Sequence, residues 1–223
     1  EVGDQSVSAD TVMFNYADNT KMDHRMVISA ENDLRFLSGV NMTTPAMSVA
    51  AKNFDINNSE ITVGATFGSD IEVQGTLSLR GGSYIESLSP SGKSDSTVLA
   101  PVSIDISSQQ LVLEPDSYIV ATNHGVNITG DKPIANLKIQ SGEISLEDAF
   151  ISTKSTNAAK AGDLEVTATG IALGKNSQIG SYSLGEGESG DITIGSSRLT
   201  MSGGSAVESG LDQMVLEGEE RAP

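Results

Sequence analysis

The chain predicts an all-β fold: a right-handed parallel β-helix (solenoid), with three short strands per coil and about seven coils. Three observations carry this. Apolar residues come in pairs two apart, as in Leu164/Val166 and Ile171/Leu173, the spacing of a half-buried strand. The pairs recur: the first-strand positions Ile71, Ile104, Leu137, Leu164 and Ile192 follow one another at intervals of 27 to 33 residues. Finally, one segment superimposes unit upon unit: SYIES (83–87), SYIVA (117–121), AFIST (149–153), SQIGS (177–181) and SAVES (205–209). Strands rich in Ile, Val, Leu and Thr, with no long helical period, exclude helical repeats. A parallel stack about 4.8 Å per coil places like residues in columns.

Taken in order, residues 1–25 read as a partial N-terminal coil or cap, with Val12 and Phe14 as its apolar pair. Residues 26–209 are the β-helix proper. Its first unit is Met26, Ile28, Leu34, Phe36 and Met42. The second is Phe54, Ile56, Ile61 and Val63, with Phe67 for a shortened third strand. Five clearer units follow: Ile71–Val73–Leu77–Leu79–Ile85, Ile104–Ile106–Leu111–Leu113–Ile119, Leu137–Ile139–Ile144–Leu146–Ile151, Leu164–Val166–Ile171–Leu173–Ile179, and Ile192–Ile194–Leu199–Met201–Val207. Turn pairs precede the third strand at Gly81-Gly82, Pro115-Asp116, Lys175-Asn176 and Gly203-Gly204. A polar column, Asn53, Asp70, Ser103, Asn136, Asp163 and Asp191, is expected before the first strand, bonded along the stack. Residues 210–223 read as the start of a further coil (Met214-Val215-Leu216) and an acidic tail, so both ends read as cut from a longer protein.

Composition narrows the function. Thirty acids against thirteen bases give a net charge of −17, which repels phosphate backbones and anionic membranes, so nucleic acid is not an expected partner. No apolar run approaches the roughly 18 residues of a membrane span. Cysteine is absent, which is compatible with export. The first ten residues, EVGDQSVSAD, lack the basic and apolar regions of a signal peptide.

No catalytic, cofactor or metal set assembles from the residues. The outer face of the first strand is expected to carry Asp55, Glu72, Asp105, Lys138, Glu165 and Thr193. Stacked carboxylates could serve as acid and base, but a solvated polar face with Lys138 relieving repulsion is the simpler reading. His24 and His124 each stand without a second His or any Cys. On the second strand the outer residues, Thr62, Ser78, Val112, Ser145, Ala172 and Thr200, are small and uncharged. Long excursions follow only the third strand, at 88–102, 122–135, 154–162 and 182–190, making a one-sided rim.

The candidate binding surface is aromatic. Tyr84, Tyr118 and Phe150 immediately precede the inward column Ile85, Ile119 and Ile151, so alternation turns them outward on three successive coils, with Val120 extending the strip. Such a ladder suits a sugar or an apolar partner. The competing expectation is that loops 88–102 and 122–135 fold over the rings.

Units such as GDLEVTATGIALGKNSQIGS and GDITIGSSRLTMSGGSAVES, opening on Gly162-Asp163 and Gly190-Asp191, resemble the repeats of filamentous-haemagglutinin-like exoproteins of two-partner secretion. The resemblance spans about residues 53–209. It implies a protein secreted or displayed at the surface of a Gram-negative bacterium, an adhesin binding a cell-surface glycan or protein, without cofactor, and using an outer-membrane transporter during secretion. That family's secretion domain carries Asn-Pro motifs, and this chain has none, so the resemblance implies a shaft segment. A β-helical polysaccharide lyase or glycosidase is the enzymatic alternative, and a structural spacer the third. Unpaired terminal strands also predict end-to-end self-association that increases with salt.

Overall fold

The computed structural model describes residues 5–9, 12–15, 20–21, 25–64, 68–88, 102–124, 135–156 and 159–211. Described strands follow one another in successive passes. The first is β1 (Gln5–Ala9), β2 (Val12–Asn15) and β3 (Thr20–Lys21). Then come β4 (Met26–Leu37) with β5 (Asn41–Thr44), and β6 (Met47–Asn57) with β7 (Glu60–Gly64). The middle of the chain holds β8 (Ser69–Val73), β9 (Thr76–Arg80) and β10 (Tyr84–Leu88), followed by β11 (Val102–Leu113) and β12 (Tyr118–Asn123). The last passes are β13 (Ala135–Leu146) with β14 (Phe150–Ser155), β15 (Leu164–Leu173) with β16 (Gln178–Ser183), and β17 (Ile192–Met201) with β18 (Ala206–Leu211). No described residue is helical.

Every strand pairing is parallel and joins neighbouring passes. One ten-stranded sheet runs β1-β4-β6-β8-β11-β13-β15-β17, with β2 and β9 paired beside that path; the other, of eight strands, runs from β3 to β18 in chain order. The class is therefore all-β with parallel sheets, as the periodicity predicts. The two sheets face each other across a core of inward columns. Ile85, Ile119, Ile151 and Ile179 are fully buried and in register, and Val207 closes that column half-buried. Phe36 and Phe54 meet edge to face, 5.3 Å between centroids, where β4 pairs with β6.

Where three short strands were expected, most passes contain two. The gap between the first two apolar pairs carries no left-handed residue, and from β11 onward pairing runs straight through it: Ser107 pairs with Gln140, Ser108 with Ser141 and Gln110 with Glu143, whereas between β4 and β6 the register shifts there. Gly142 allows the bend, since a Cβ there would lie 2.6 Å from the Gln109 carbonyl oxygen. The second gap turns sharply because its residues enter the left-handed region: Ser38, Asn58, Asp116, Asp148 and Asn176 have φ between 47° and 65°, and Gly81-Gly82 and Gly203-Gly204 also have positive φ. These turns bond to one another through Asn58 N–H to Arg80 O, Asp148 N–H to Lys175 O, and Asn176 N–H to Gly203 O.

Two register expectations are corrected. Phe54 and Ile56 pair with Leu77 and Leu79, so they open the second segment, and Ile61 pairs with Ile85 in the third. The first segment of that pass is Met47, Val49 and Ala51, whose small residues obscure the apolar pattern. Phe67 lies outside the described residues. Ile71 pairs with Ile106 rather than Ile104, which sets Asp70 beside Asp105. The expected polar column consequently holds only in part. Asp163 N–H donates to Asn136 Oδ1 (2.9 Å) and Asp191 N–H to Asp163 Oδ1 (3.0 Å), whereas Asn53 belongs to another segment and bonds Asp33.

Gly162 and Gly190, which open two repeats, have a packing role. A Cβ on Gly162 would lie 1.7 Å from the Ala135 carbonyl oxygen, and one on Gly190 2.0 Å from that of Gly162. The backbones touch there, held by the Thr153 hydroxyl donating to Gly162 O (2.6 Å) and Gly190 N–H donating to Ser181 Oγ (2.8 Å). Thr153 and Ser181, small buried polar residues of the third strands, thus satisfy the backbone that leads into the next pass.

Candidate recognition strip

The eight-stranded sheet places the aromatic residues by register. Tyr84 pairs with Tyr118, and Tyr118 with Phe150, each immediately before the buried isoleucine column. Alternation turns them outward, and all three are half-buried. Their rings stack face to face: centroids are 4.7 Å apart in both pairs, with planes at 6° and 4°. That spacing equals the distance between paired strands, so the backbone ladder sets the ring ladder. Because it exceeds the roughly 3.5 Å contact distance of carbon layers, the rings are offset. Tyr118 therefore has a neighbour on each face, and the strip offers ring edges and hydroxyls rather than open faces.

Polar residues close both ends of the ladder. Glu60, in register with Tyr84, accepts hydrogen bonds from the Tyr84 hydroxyl (2.9 Å) and from Asn41 Nδ2 (2.8 Å). At the other end Lys154 Nζ sits over the Phe150 ring, 5.0 Å from its centroid, a cation–π contact. Gln178 follows Phe150 in the column, and the Tyr182 hydroxyl bonds Gln178 (3.4 Å) and Glu208 (3.3 Å). Burial pushes the Tyr84 phenol far above the ordinary tyrosine range, reinforced by the hydrogen bond and charge of Glu60. Burial, with the charges of Glu86 and Glu60, pushes Tyr118 up to about 12. Both stay neutral hydroxyls at physiological pH.

Val120 departs from expectation. It points away from the core cluster yet is only 2% exposed. On its face Tyr118 and Thr122 flank it along the strand, and Glu86 and Ser152 pair with it on either side. Thr122 is further tied to Glu86 by a hydrogen bond (3.2 Å). Val120 is therefore buried beside the strip rather than part of its exposed surface. In the same column a Cβ on Gly180 would meet the Tyr182 ring at 2.4 Å or less. Most of loops 88–102 and 122–135, which could cover the rings, lies outside the described residues.

Glu60 and Lys154 were not foreseen as parts of the strip. Glu60 stands before Ile61 as Tyr84 stands before Ile85, a signal hidden by assigning Ile61 to the second segment. Lys154 lies four residues after Phe150, hence on the same face of its strand.

The opposite sheet carries the acidic column in a changed order: Ser48, Asp70, Asp105, Lys138, Glu165 and Thr193. Glu72 aligns instead with Ser107, and Asp55 with Ser78. Lys138 pairs with Glu165 at 3.4 Å, and Arg25 with Asp70 at 3.5 Å. A shallow groove passes Asp70, Glu72, Asp105 and Lys138. Burial raises the Asp105 carboxyl, and the neighbouring Asp70 charge adds to this while Lys138 opposes it. No group of three or more His, Cys, Asp or Glu suited to a metal ion occurs among the described residues.

The small uncharged column reads Ser78, Val112, Ser145, Ala172 and Thr200; Thr62 belongs to the other sheet, and Asp55, ion-paired with Arg80, takes its place. His24 lies outside the described residues, and His124 Nδ1 bonds the Thr156 hydroxyl (2.9 Å). No described helix is long and apolar enough to cross a membrane.

No family model, curated protein or solved structure matches the chain.

Proposed function

We propose that the chain is a segment of a right-handed parallel β-helix of about seven coils that acts as a non-catalytic recognition shaft. It would be secreted or held at the surface of a Gram-negative bacterium, binding a glycan or protein on a neighbouring cell, in the manner of filamentous-haemagglutinin-like exoproteins. The pass-to-pass parallel pairing supports the helix, with the N-terminal strands contributing an additional pass. The observation that carries the recognition reading is the outward, half-buried stack Tyr84–Tyr118–Phe150, bounded by Glu60 and Lys154.

Its edges combine hydroxyl donors, a carboxylate and an ammonium with apolar ring carbon, the mixture that grips sugars and peptide surfaces. Binding to a glycan array and to whole cells tests it. Tyr84→Ala with Tyr118→Ala should abolish binding while the circular-dichroism spectrum stays that of the parent. Undiminished binding by the folded double variant would place recognition elsewhere.

A second reading, a polysaccharide lyase or glycosidase, draws on the raised Asp105 beside Asp70 in the acidic groove. Release of reducing ends or unsaturated products from acidic and neutral polysaccharides would favour it, provided that Asp105→Asn removes the activity.

A further inference from the structure

The Tyr84–Tyr118 stack has a second chemical capacity. Two phenols are held with ring centroids 4.7 Å apart and planes 6° from parallel, by a backbone register that fixes both Cα positions. The Tyr84 hydroxyl already donates to the Glu60 carboxylate at 2.9 Å. Both rings are half-buried rather than enclosed, so an electron can leave without the chain opening. Of the remaining tyrosines, Tyr182 has Lys154 and Gly210 as its column neighbours, and Tyr16 lies outside the described residues.

We propose that Tyr84 and Tyr118 form an oxidative cross-linking site, in which a one-electron oxidant, such as the high-valent haem of a peroxidase, joins the two rings as dityrosine and staples adjacent passes covalently. The first oxidant equivalent takes one electron from Tyr84 while the phenol proton moves to Glu60. The second takes one electron from Tyr118, whose proton passes to solvent. The two phenoxyl radicals couple through a new carbon–carbon bond between ring positions ortho to the oxygens. Each ortho hydrogen then shifts to its oxygen, restoring both phenols. Two electrons and two protons are lost in all, and the oxidant is reduced by two equivalents. Since both phenols remain protonated at neutral pH, loss of the electron must be coupled to loss of the proton, and this is the role of Glu60. In a chain with no cysteine, such a bond would provide the covalent tie that disulfides provide elsewhere.

The test is photo-oxidation of the dilute, folded chain with ruthenium tris-bipyridyl and persulfate, followed by proteolysis and mass spectrometry. The expected product is a monomer in which the peptides holding Tyr84 and Tyr118 are joined with loss of two hydrogens. Y118F should remove it. F150Y, which keeps the ring stack and adds a phenol, should yield a second cross-link between positions 118 and 150. E60Q should lower the 84–118 yield several-fold at neutral pH. Cross-links to Tyr182 or Tyr16 at comparable yield, products only between molecules, or the same pattern from the urea-unfolded chain would overturn the proposal. An undiminished yield in E60Q would overturn the role given to Glu60.

Discussion

Ile119 shows what one residue contributes. It is fully buried between Ile85 and Ile151, so Ile119→Ala removes apolar contact on both sides and leaves a cavity. Denaturant unfolding should record a loss of about 2–5 kcal/mol; less than about 1 kcal/mol would mean that the column is out of register. The tyrosines give a pH signature. Their raised folded values mean that the unfolded chain releases phenol protons first, at about pH 10. Stability should therefore hold to about pH 9 and fall as pH climbs past about 10 toward the folded values. Ultraviolet titration should show these two phenols ionising late, and loss of the delay in Y118F would assign one of them.

Asp105 has the same sign in the carboxylate range: its raised folded value means that stability is lost as pH rises through it. Its carboxylate form, partly desolvated and beside Asp70, opposes folding, so Asp105→Asn should raise the melting temperature at neutral pH relative to the parent and lose that advantage in acid. An unchanged melting temperature at neutral pH would show that Lys138 fully compensates.

At the scale of elements, the sequence carried the third strands most clearly, because a turn with positive φ precedes each of the five that superimpose and an apolar residue marks the same inward position. The first strands were harder to read. Ser69–Val73 slips by two residues against Val102–Leu113 because period-two alternation is satisfied equally by either register. The slip changed which carboxylates are neighbours, and the displaced assignment of Ile61 hid Glu60. Outward direction was legible for Tyr84, Tyr118 and Phe150, while the burial of Val120 was not, because alternation gives the direction of a side chain and not what packs over it. The Gly-Asp openings, read as a family resemblance, also prove to be close backbone contacts. Gly162→Ala should destabilise strongly, since the atom it meets is a carbonyl oxygen that cannot rotate away. A near-normal melting temperature would contradict that packing.

For the whole molecule, the last described pass is where the apolar columns lose their cover. Leu199 is 43% and Met201 45% exposed, and among the described residues β17 pairs only with β15 and β18 only with β16. Exposed apolar side chains such as Leu199 and Met201 favour association between molecules, which the net charge of −17 opposes. Light scattering should find monomers at low ionic strength and growing assemblies as salt shortens the screening length to about 10 Å and below. Leu199→Lys with Met201→Lys should suppress them, and scattering independent of salt would rule out this balance.

Recognition and cross-linking alike require that Tyr84, Tyr118 and Phe150 occupy one column in that order. Nuclear Overhauser contacts between their ring protons measure this directly. The structure predicts contacts between Tyr84 and Tyr118 and between Tyr118 and Phe150, with none between Tyr84 and Phe150. Direct Tyr84–Phe150 contacts, or three rings without mutual contacts, would contradict the register on which the account stands.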